Sequence, residues 1–302
     1  MRNWAKLWKN PVMVKDFRTR MRGNRAFILL TAHLLIMGGF AFLVYILLVS
    51  SMSPRGSLEE RRIFGKAIFG LLVGMEMVMI SFVAPALTSG AISTERERQT
   101  YDLLRVTLLS PRSLVMGKYL SGLVFIFLLL FTSLPLQSPA FLLGGLLPEE
   151  IIIAILILAV TAIAFCAVGI FTSSFFNRTL ISTVLTYAFA IFLVFGIPII
   201  LIIFLTLFNT SLGNLVEHLS QMWQAVLLGA AWLLLSITPF GTIVASEAIL
   251  LEENSILYTT ISLTSKMKLV LPSPWLIYTL IYLLFSGLLL WLSVRRVGKL
   301  EK

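Results

Sequence analysis

Charged residues are scarce in this sequence of 302 residues, and their scarcity excludes a soluble globular protein. Only 13% of the residues are Asp, Glu, Lys or Arg, whereas soluble domains carry about a quarter. Apolar residues make up 58% of the chain, and its mean hydropathy is +0.96. A helix that crosses the roughly 30 Å hydrocarbon core of a bilayer needs about 20 apolar residues in a row. The composition therefore predicts an integral membrane protein.

The residues that most enzymes and metal sites require are also missing. Cys166 is the one cysteine and lies in an apolar run, so no disulfide is expected. His33 and His218 lie in separate apolar regions, without cysteine or carboxylate at ligand spacing, which argues against a metal site. Catalytic motifs such as Gly-x-Ser-x-Gly are absent, and no Gly-Lys pair has the spacing of a phosphate-binding loop. We therefore expect no enzyme and no nucleotide hydrolysis by this chain.

Long runs with almost no charge are present instead. Backbone groups left unpaired in lipid are costly, so helices are the expected form, and the alternating ten-residue segments of membrane strands are absent. The fold class we predict is an all-α membrane protein with six spans. The runs are Phe27–Val49, Ala67–Ile92, Tyr119–Leu147, Ile151–Phe176, Thr179–Phe208 and Leu269–Val294.

The distribution of positive charge predicts the topology. Lys and Arg collect on cytoplasmic flanks, and most of the 24 lie before the first run, between the second and third, or after the last. Both termini are then cytoplasmic and the number of crossings is even. We therefore interpret residues 218–251 as an outer re-entrant segment, broken at Thr238–Gly241; a seventh crossing is the alternative. The net charge of +10 follows from topology and anionic lipid, so no nucleic acid is expected.

The first 26 residues combine an apolar stripe with basic residues. Trp4, Trp8, Val14 and Phe17 recur at helical spacing, which predicts an amphipathic helix at the membrane interface. A basic flank without regular structure is the alternative. The candidate residues of this interfacial helix are Asn10, Pro11, Lys15, Asp16, Arg18, Arg20 and Arg22.

The segment between the second and third spans alternates in charge and then supplies leucines. We predict a short surface helix that ends before Ser110 and Pro111 and carries an apolar face for a partner protein. A solvated loop with local ion pairs is the alternative. The candidate contact residues are Glu95, Arg96, Glu97, Arg98, Thr100, Asp102, Leu103 and Leu104.

Four stretches resemble one known family, the permease subunits of type-2 ABC exporters. The first is "ISTERERQTYDLLRVTLLSPRSLVMGKYL", from Ile92, which is similar to the coupling region of those subunits. The second is "NPVMVKDFRTRMRGNRAF", from Asn10, which resembles their interfacial segment. The third is "FTSSFFNRT", from Phe171, which resembles a short cytoplasmic turn containing Asn177 and Arg178. The fourth is "LLSITPFGTIVASEAILLEE", from Leu234, which is similar to the outer segment before a last span near "LPSPWLIY".

The resemblance implies a function and a set of partners. Two six-span subunits, identical or homologous, would form the translocation unit in the cell membrane, with two ATPase subunits seated on their coupling helices. ATP and Mg²⁺ would then be bound by the ATPases, and this chain would hold no cofactor. The expected substrate is a hydrophobic or amphipathic molecule such as a peptide, a drug-like compound or a lipid-linked species. The alternatives are a subunit that passes ATPase motion to an extracytoplasmic partner and, with less support, an intramembrane enzyme.

One ionisable residue falls deep inside a predicted span. Glu76 lies nine residues into the second run, and an acid at that depth either serves a cavity or is a hydrogen-bonded structural residue at a seam. Met75 and Met79 flank it and could line a pliable apolar path. In the outer segment, Glu247 is a candidate gate or a side chain that reaches water.

Prolines predict breaks in two of the spans. Pro135 and Pro139 should kink the third span or end it early, because proline lacks the amide hydrogen that continues a helix. Pro198 should bend the fifth span for the same reason.

Overall fold

A computed structural model gives the fold. It describes residues 11–22, 24–51, 57–100, 110–144, 146–207, 221–252, 256–264 and 267–299. In chain order, the described helices begin with α1 (Pro11–Met21), α2 (Asn24–Ser51), α3 (Leu58–Thr88) and α4 (Ser93–Glu97). They are followed by α5 (Pro111–Ser133), a 3-10 turn (Leu134–Gln137), α6 (Ser138–Leu143), α7 (Pro148–Phe175) and α8 (Thr179–Ile191). A π-helical turn (Phe192–Gly196), α9 (Ile197–Leu207), α10 (Gln221–Ile237), α11 (Pro239–Glu252), β1 (Tyr258–Thr264), β2 (Met267–Pro272) and α12 (Pro274–Lys299) complete the order.

Within the described residues, six helical stretches are long and apolar enough to cross a membrane, as the sequence predicted. The chain is thus a multi-pass helical membrane protein. The stretches are Ala26–Leu47, Arg61–Glu97, Pro111–Gln137, Pro148–Phe175, Thr179–Ile203 and Pro274–Lys299.

The regular α-helix is interrupted at Pro135 and next to Pro198. Helix α5 ends at Ser133, and the chain continues as the 3-10 turn that contains Pro135 before α6 begins; we call this turn the kink. In the fifth stretch, the π-helical turn Phe192–Gly196 lies just before Pro198, whose missing amide hydrogen cannot complete the regular helical ladder.

Several boundaries of the six stretches differ from the sequence interpretation, and two of these differences have a clear local cause. The third stretch begins at Pro111 rather than Tyr119, because Ser110 accepts a hydrogen bond from the Ser113 amide and Pro111 occupies the first turn. The sixth begins at Pro274 rather than Leu269, because residues 267–272 form a strand. The antiparallel hairpin of β1 and β2 was not predicted; its register pairs Tyr258 with Pro272 and shifts between Ser262 and Thr264.

The outer segment contains two helices that meet at a sharp bend. Helices α10 and α11 are bent by 113° at Thr238, inside the Thr-Pro-Phe-Gly sequence that was expected to interrupt the helix. By length and composition the pair fits either a broken span or a re-entrant loop.

The described chain divides into two compact units. The first comprises 1–146, 158–190 and 283–302, and the second comprises 147–157 and 191–282. The core of the first unit contains Phe125, Phe165, Met77 and the thiol of Cys166, all almost completely buried. In the second unit, the Tyr282 hydroxyl donates to the Ile237 carbonyl at 2.8 Å.

The hairpin in the second unit is held at its base by hydrogen bonds to backbone carbonyls. The Trp275 indole and the Ser273 hydroxyl both donate to the Ile256 carbonyl, at 2.9 and 2.8 Å. The Trp232 indole donates to the Pro272 carbonyl at 3.0 Å. These bonds tie the hairpin to α10 and to the first turn of α12, which matters because a lone two-stranded hairpin is marginally stable.

Candidate functional site: the polar junction beyond helix α3

The candidate site is the stretch Thr88–Thr100 together with the side chains that contact it, and we call it the junction. Helix α3 ends at Thr88, and the chain turns through Ser89–Ile92 into the single-turn helix α4. A helix of five residues is not stable by itself, because nucleation costs more than so few hydrogen bonds return. The contacts that α4 makes with other segments must therefore hold it in place.

The amino end of α4 is capped by a side chain from α7. The amides of Ile92 and Ser93 donate to Ser173 Oγ at 2.8 and 3.0 Å. Both Ser93 and Ser173 are fully buried, so these amides would otherwise lack a partner, and an unpaired buried amide costs about 1–3 kcal/mol. One serine of α7 thus fixes where α4 begins.

Hydroxyl groups link the turn before α4 to α7 and α8. Ser182 Oγ donates to the Ser89 carbonyl at 2.6 Å and lies 3.1 Å from Thr172 Oγ1. Thr172 and Thr186 share a further bond at 2.6 Å between their hydroxyls. Hydrogen bonds of this kind between membrane helices contribute about 0.6 kcal/mol each on average. The network therefore stabilises the contact modestly, and it fixes the position of the turn relative to α7 and α8.

Glycines allow the helices to approach closely around Thr88. A Cβ added at Gly169 would overlap the Thr88 hydroxyl and lie 2.8 Å from its Cβ and 3.2 Å from the Ser89 amide nitrogen. A Cβ added at Gly122 would lie 2.9 Å from Thr88 Cγ2. Helix α3 is therefore seated against α5 and α7 by small residues, the usual means of close packing in membranes.

A buried lysine joins three segments of the junction. Lys118 Nζ of α5 lies 2.6 Å from Glu95 Oε1 of α4 and 3.7 Å from Asp16 Oδ2 of α1. The lysine side chain is 5% exposed, and the side chains of its two partners are each 24% exposed. Since charges that leave water need partners nearby, this contact couples α1, α4 and α5.

The end of α4 is tied to the start of α8. Glu97 accepts from both the amide and the hydroxyl of Thr179, at 2.8 and 2.7 Å. Thr179 is the first residue of α8, where free amides and the helix dipole favour a negative charge. Beside it, Arg96 donates to Asn177 Oδ1 at 3.1 Å. Arg96 and Glu97, two of the charged residues predicted on this surface, therefore bind the turn between α7 and α8.

Helix α4 is followed by a residue in the left-handed backbone conformation. Gln99 has a φ of +55°, and the Thr100 amide donates to the Glu95 carbonyl at 3.0 Å, which closes the end of the helix. Arg98 and Thr100 are exposed at this point. The remaining predicted contact residues, Asp102, Leu103 and Leu104, lie outside the described residues.

Helix α1 docks beside the junction. Arg20 donates to the Leu87 carbonyl at 2.8 Å, while Val12 and Met13 are buried and Lys15, Arg18 and Arg22 are exposed. Burial lowers the pKa of the Arg20 guanidinium, and the nearby Asp16 carboxylate opposes that effect. The helix begins at Pro11, and Asn10 lies outside the described residues.

The remaining candidates lie away from the junction. Glu76 is buried and contacts Ser133 and Gln137 of the same chain. Met75 and Met79 are half-buried beside it, and Glu247 is half-buried in α11. Among the described residues, no group of three or more His, Cys, Asp or Glu side chains is arranged to hold a metal ion.

Sequence reasoning identified the charged residues of the junction and, as separate candidates, Asp16 and Asn177, but it missed the other residues that contact the junction. Ser173 and Ser182 lie in apolar runs and were interpreted as parts of spans, whereas Lys118 was interpreted only as one of the basic residues between the second and third runs. Serine and threonine clusters at the ends of such runs, as in "FTSSFFNRT", are the signal that could have indicated them. A search of protein-family models and a search of curated proteins each found no match to this sequence.

Proposed function

We propose that this chain is the permease subunit of an ATP-driven exporter of the type-2 ABC class. The observation that carries the proposal is the short helix α4, whose side chains contact α5, α7 and α8 directly and are linked to α1 through Lys118. A segment bonded in this way passes a displacement to several membrane helices, which is what a subunit driven from outside the membrane requires.

The arrangement of basic residues supports a cytoplasmic position for the junction. In the first unit, Gly298 near the end of α12 approaches Pro111 at the start of α5, where a Cβ on Gly298 would lie 3.7 Å from Pro111. The Arg296 guanidinium lies 5.0 Å from the Phe175 ring at the end of α7. The exposed cations of α1, Arg98 and Arg178 belong to the same region. Such clustering favours the inner face of the cell membrane, with both termini cytoplasmic.

The partners and substrate follow from this role. Two ATPase subunits would supply ATP and Mg²⁺ chemistry, a second permease copy or homologue would complete the translocation unit, and lipid would surround it. The cargo we propose is hydrophobic or amphipathic. The sequence carries no phosphate-binding loop, so hydrolysis belongs to another chain.

Affinity purification from the native membrane tests the proposal. The tagged chain should bring down an ATPase subunit in one-to-one ratio. In Arg98→Glu, which reverses an exposed charge directly after α4, that ATPase should be lost while the permease remains in the membrane. The matched control is Arg295→Glu, an exposed arginine that stacks on Trp291 at 3.7 Å in α12, and it should retain the partner.

Two outcomes would contradict the proposal. One is a chain that purifies alone under conditions that preserve a known transporter complex, and the other is equal loss of the partner in both variants. Where an ATPase is present, its stimulation by a candidate amphipathic compound supports transport. An unchanged rate together with a stable extracytoplasmic partner would favour a subunit that transmits motion.

A further inference from the structure

A buried acid inside the first unit makes a set of contacts that the proposed function does not explain. Glu76 lies in α3 with 1% of its surface exposed. Its Oε1 contacts Ser133 Oγ, at the end of α5, and its Oε2 accepts from Gln137 Nε2 at 3.0 Å, at the end of the kink. The carboxyl group therefore bridges the two ends of the kink.

The hydrogen count around Ser133 favours the protonated form of this acid. Ser133 Oγ also bonds the Leu130 carbonyl at 2.8 Å, and a carbonyl oxygen can only accept. A serine hydroxyl has one proton to donate. If Glu76 were ionised, that proton could serve either the carboxylate or the carbonyl, but not both. If Glu76 is protonated, its own hydroxyl donates to Ser133 and Ser133 donates to Leu130, so both contacts are satisfied.

Within the part of the chain that the structure describes, no ion pair joins Glu76 to a cation. Lys66, on α3 itself, is ten residues away, about 15 Å along the helix. Both ring nitrogens of His33 are buried and make no hydrogen bond within the described residues. The kink and α6 contain no titratable side chain. The other titratable or charged residues on the described parts of α2, α3 and α5 are Arg25, Tyr45, Glu59, Glu60, Arg61, Arg62, Arg112, Lys118 and Tyr119.

An ionised Glu76 carboxylate at this buried position would have a high free energy. Moving an unpaired carboxylate into an apolar environment costs far more than moving the neutral acid, and a buried group commonly neutralises instead. Two neutral hydrogen-bonding side chains do not balance a full charge. The hydrogen bonds of Ser133 and the absence of a paired cation among the described residues therefore both favour a protonated Glu76.

We infer that Glu76 is a proton-binding site: it carries a proton, donates it in a hydrogen bond to Ser133, and in this form holds α3 against the kink. Separation of α3 from the kink would expose the carboxyl group to water. An exposed glutamic acid is ionised at neutral pH, so each such opening would release one proton and each closure would take one up. This inference does not depend on an ATPase partner.

Infrared spectroscopy of the protein in lipid vesicles at neutral pH tests the inference. A protonated carboxylic acid has a carbonyl stretch that ionised carboxylates lack. The wild-type spectrum should contain this band, and Glu76→Gln should lose it. The matched control is Glu150→Gln: Glu150 is also buried, but its Oε2 accepts from the Leu147 amide at 3.1 Å at the start of α7, so the band should stay. A wild-type spectrum without the band, or a band that survives in Glu76→Gln, would overturn the inference.

A second variant separates the hydrogen bond from the acid. Ser133→Ala removes the acceptor, so the carbonyl stretch should move to higher frequency without disappearing, whereas Ser133→Thr should leave it in place. A band that does not move in Ser133→Ala would refute the role of Ser133. Because this comparison keeps Glu76, it remains informative if Glu76→Gln does not fold.

Discussion

Glu76 and Glu95 are both partly or fully withdrawn from water, yet they are stabilised in different ways. Glu95 lies 2.6 Å from the Lys118 ammonium in the junction, and that cation balances its charge. Among the described residues, the hydrogen bonds of the Glu76 carboxyl group are to the neutral side chains of Ser133 and Gln137, and a proton takes the place of the cation. Burial alone thus does not define the role of an acid in a membrane protein. The neighbours do, and the two sites should therefore respond differently to the same substitution.

The largest effect should come from placing a side chain at Gly169, where helix α7 packs closely against Thr88 and Ser89. Gly169→Leu should destabilise the protein by about 3 kcal/mol, because the new side chain overlaps Thr88 and the Ser89 backbone in a buried contact. Heating followed by fluorescence-detected size-exclusion chromatography measures the loss. Gly39→Leu is the control, since a Cβ at Gly39 meets no atom within 4 Å, and it should cost less than about 1 kcal/mol. Equal behaviour of the two variants would rule out the close packing described for Thr88.

The next effect should come from removing the cation. Lys118→Met should cost about 2 kcal/mol, because Glu95 and Asp16 lose the charge that balances them; the partial exposure of both acids keeps the loss below that of a fully buried pair. Adding Glu95→Gln to that variant should recover part of the loss in the same heating assay. A double variant whose loss is the sum of the single losses would show that the two side chains are not coupled.

A smaller effect should follow from removing the cap of α4. Ser173→Ala should cost about 1–2 kcal/mol, since the amides of Ile92 and Ser93 lose their acceptor in a buried setting. Ser174→Ala is the paired control, because Ser174 Oγ bonds only to Phe171 in its own helix among the described contacts. Hydrogen exchange should report faster exchange at α4 in the first variant alone, and unchanged exchange there would contradict the capping role.

The smallest effect should appear at Glu76. Glu76→Gln should change the stability by less than about 0.5 kcal/mol, because a glutamine amide can donate to Ser133 and accept from Gln137 as the neutral acid does. Glu95→Gln should cost more, since it leaves Lys118 short of a counter-charge. Thermal unfolding of Glu76→Gln and Glu95→Gln under the same conditions gives the comparison. A larger loss of stability in Glu76→Gln than in Glu95→Gln would contradict the different roles of the two acids.

The six apolar stretches could be predicted from sequence because hydropathy is a local property. The position of the junction was also visible, since the alternation of Glu95, Arg96, Glu97 and Arg98 has no place in a span. The partners of these residues could not be predicted, because Lys118 and Ser173 are distant in sequence and lie in or beside apolar runs. Likewise the depth of Glu76 was readable, but its contacts with Ser133 and Gln137 depend on how α5 ends at the kink.

The hairpin shows a different limit. "LVLP" was interpreted as the start of the last span because an apolar run of this length reads equally as strand or helix. Thr259, Thr260 and Ile261 in the preceding run are typical of strands, and the two runs are separated by only two residues, Ser265 and Lys266. Residues 267–272 form a strand because they pair with residues 258–264, and a reading of either run by itself does not include that pairing.

Cys166 gives the chain an internal reporter of its own integrity. It is the one thiol in the sequence, and it lies fully buried in α7, three residues before Gly169 and so on the same face of that helix. A membrane-permeant maleimide can reach this sulfur only after the helices around it have separated. The rate of alkylation in the unmodified protein therefore measures how often the first unit opens, without any engineered cysteine or removal of competing ones.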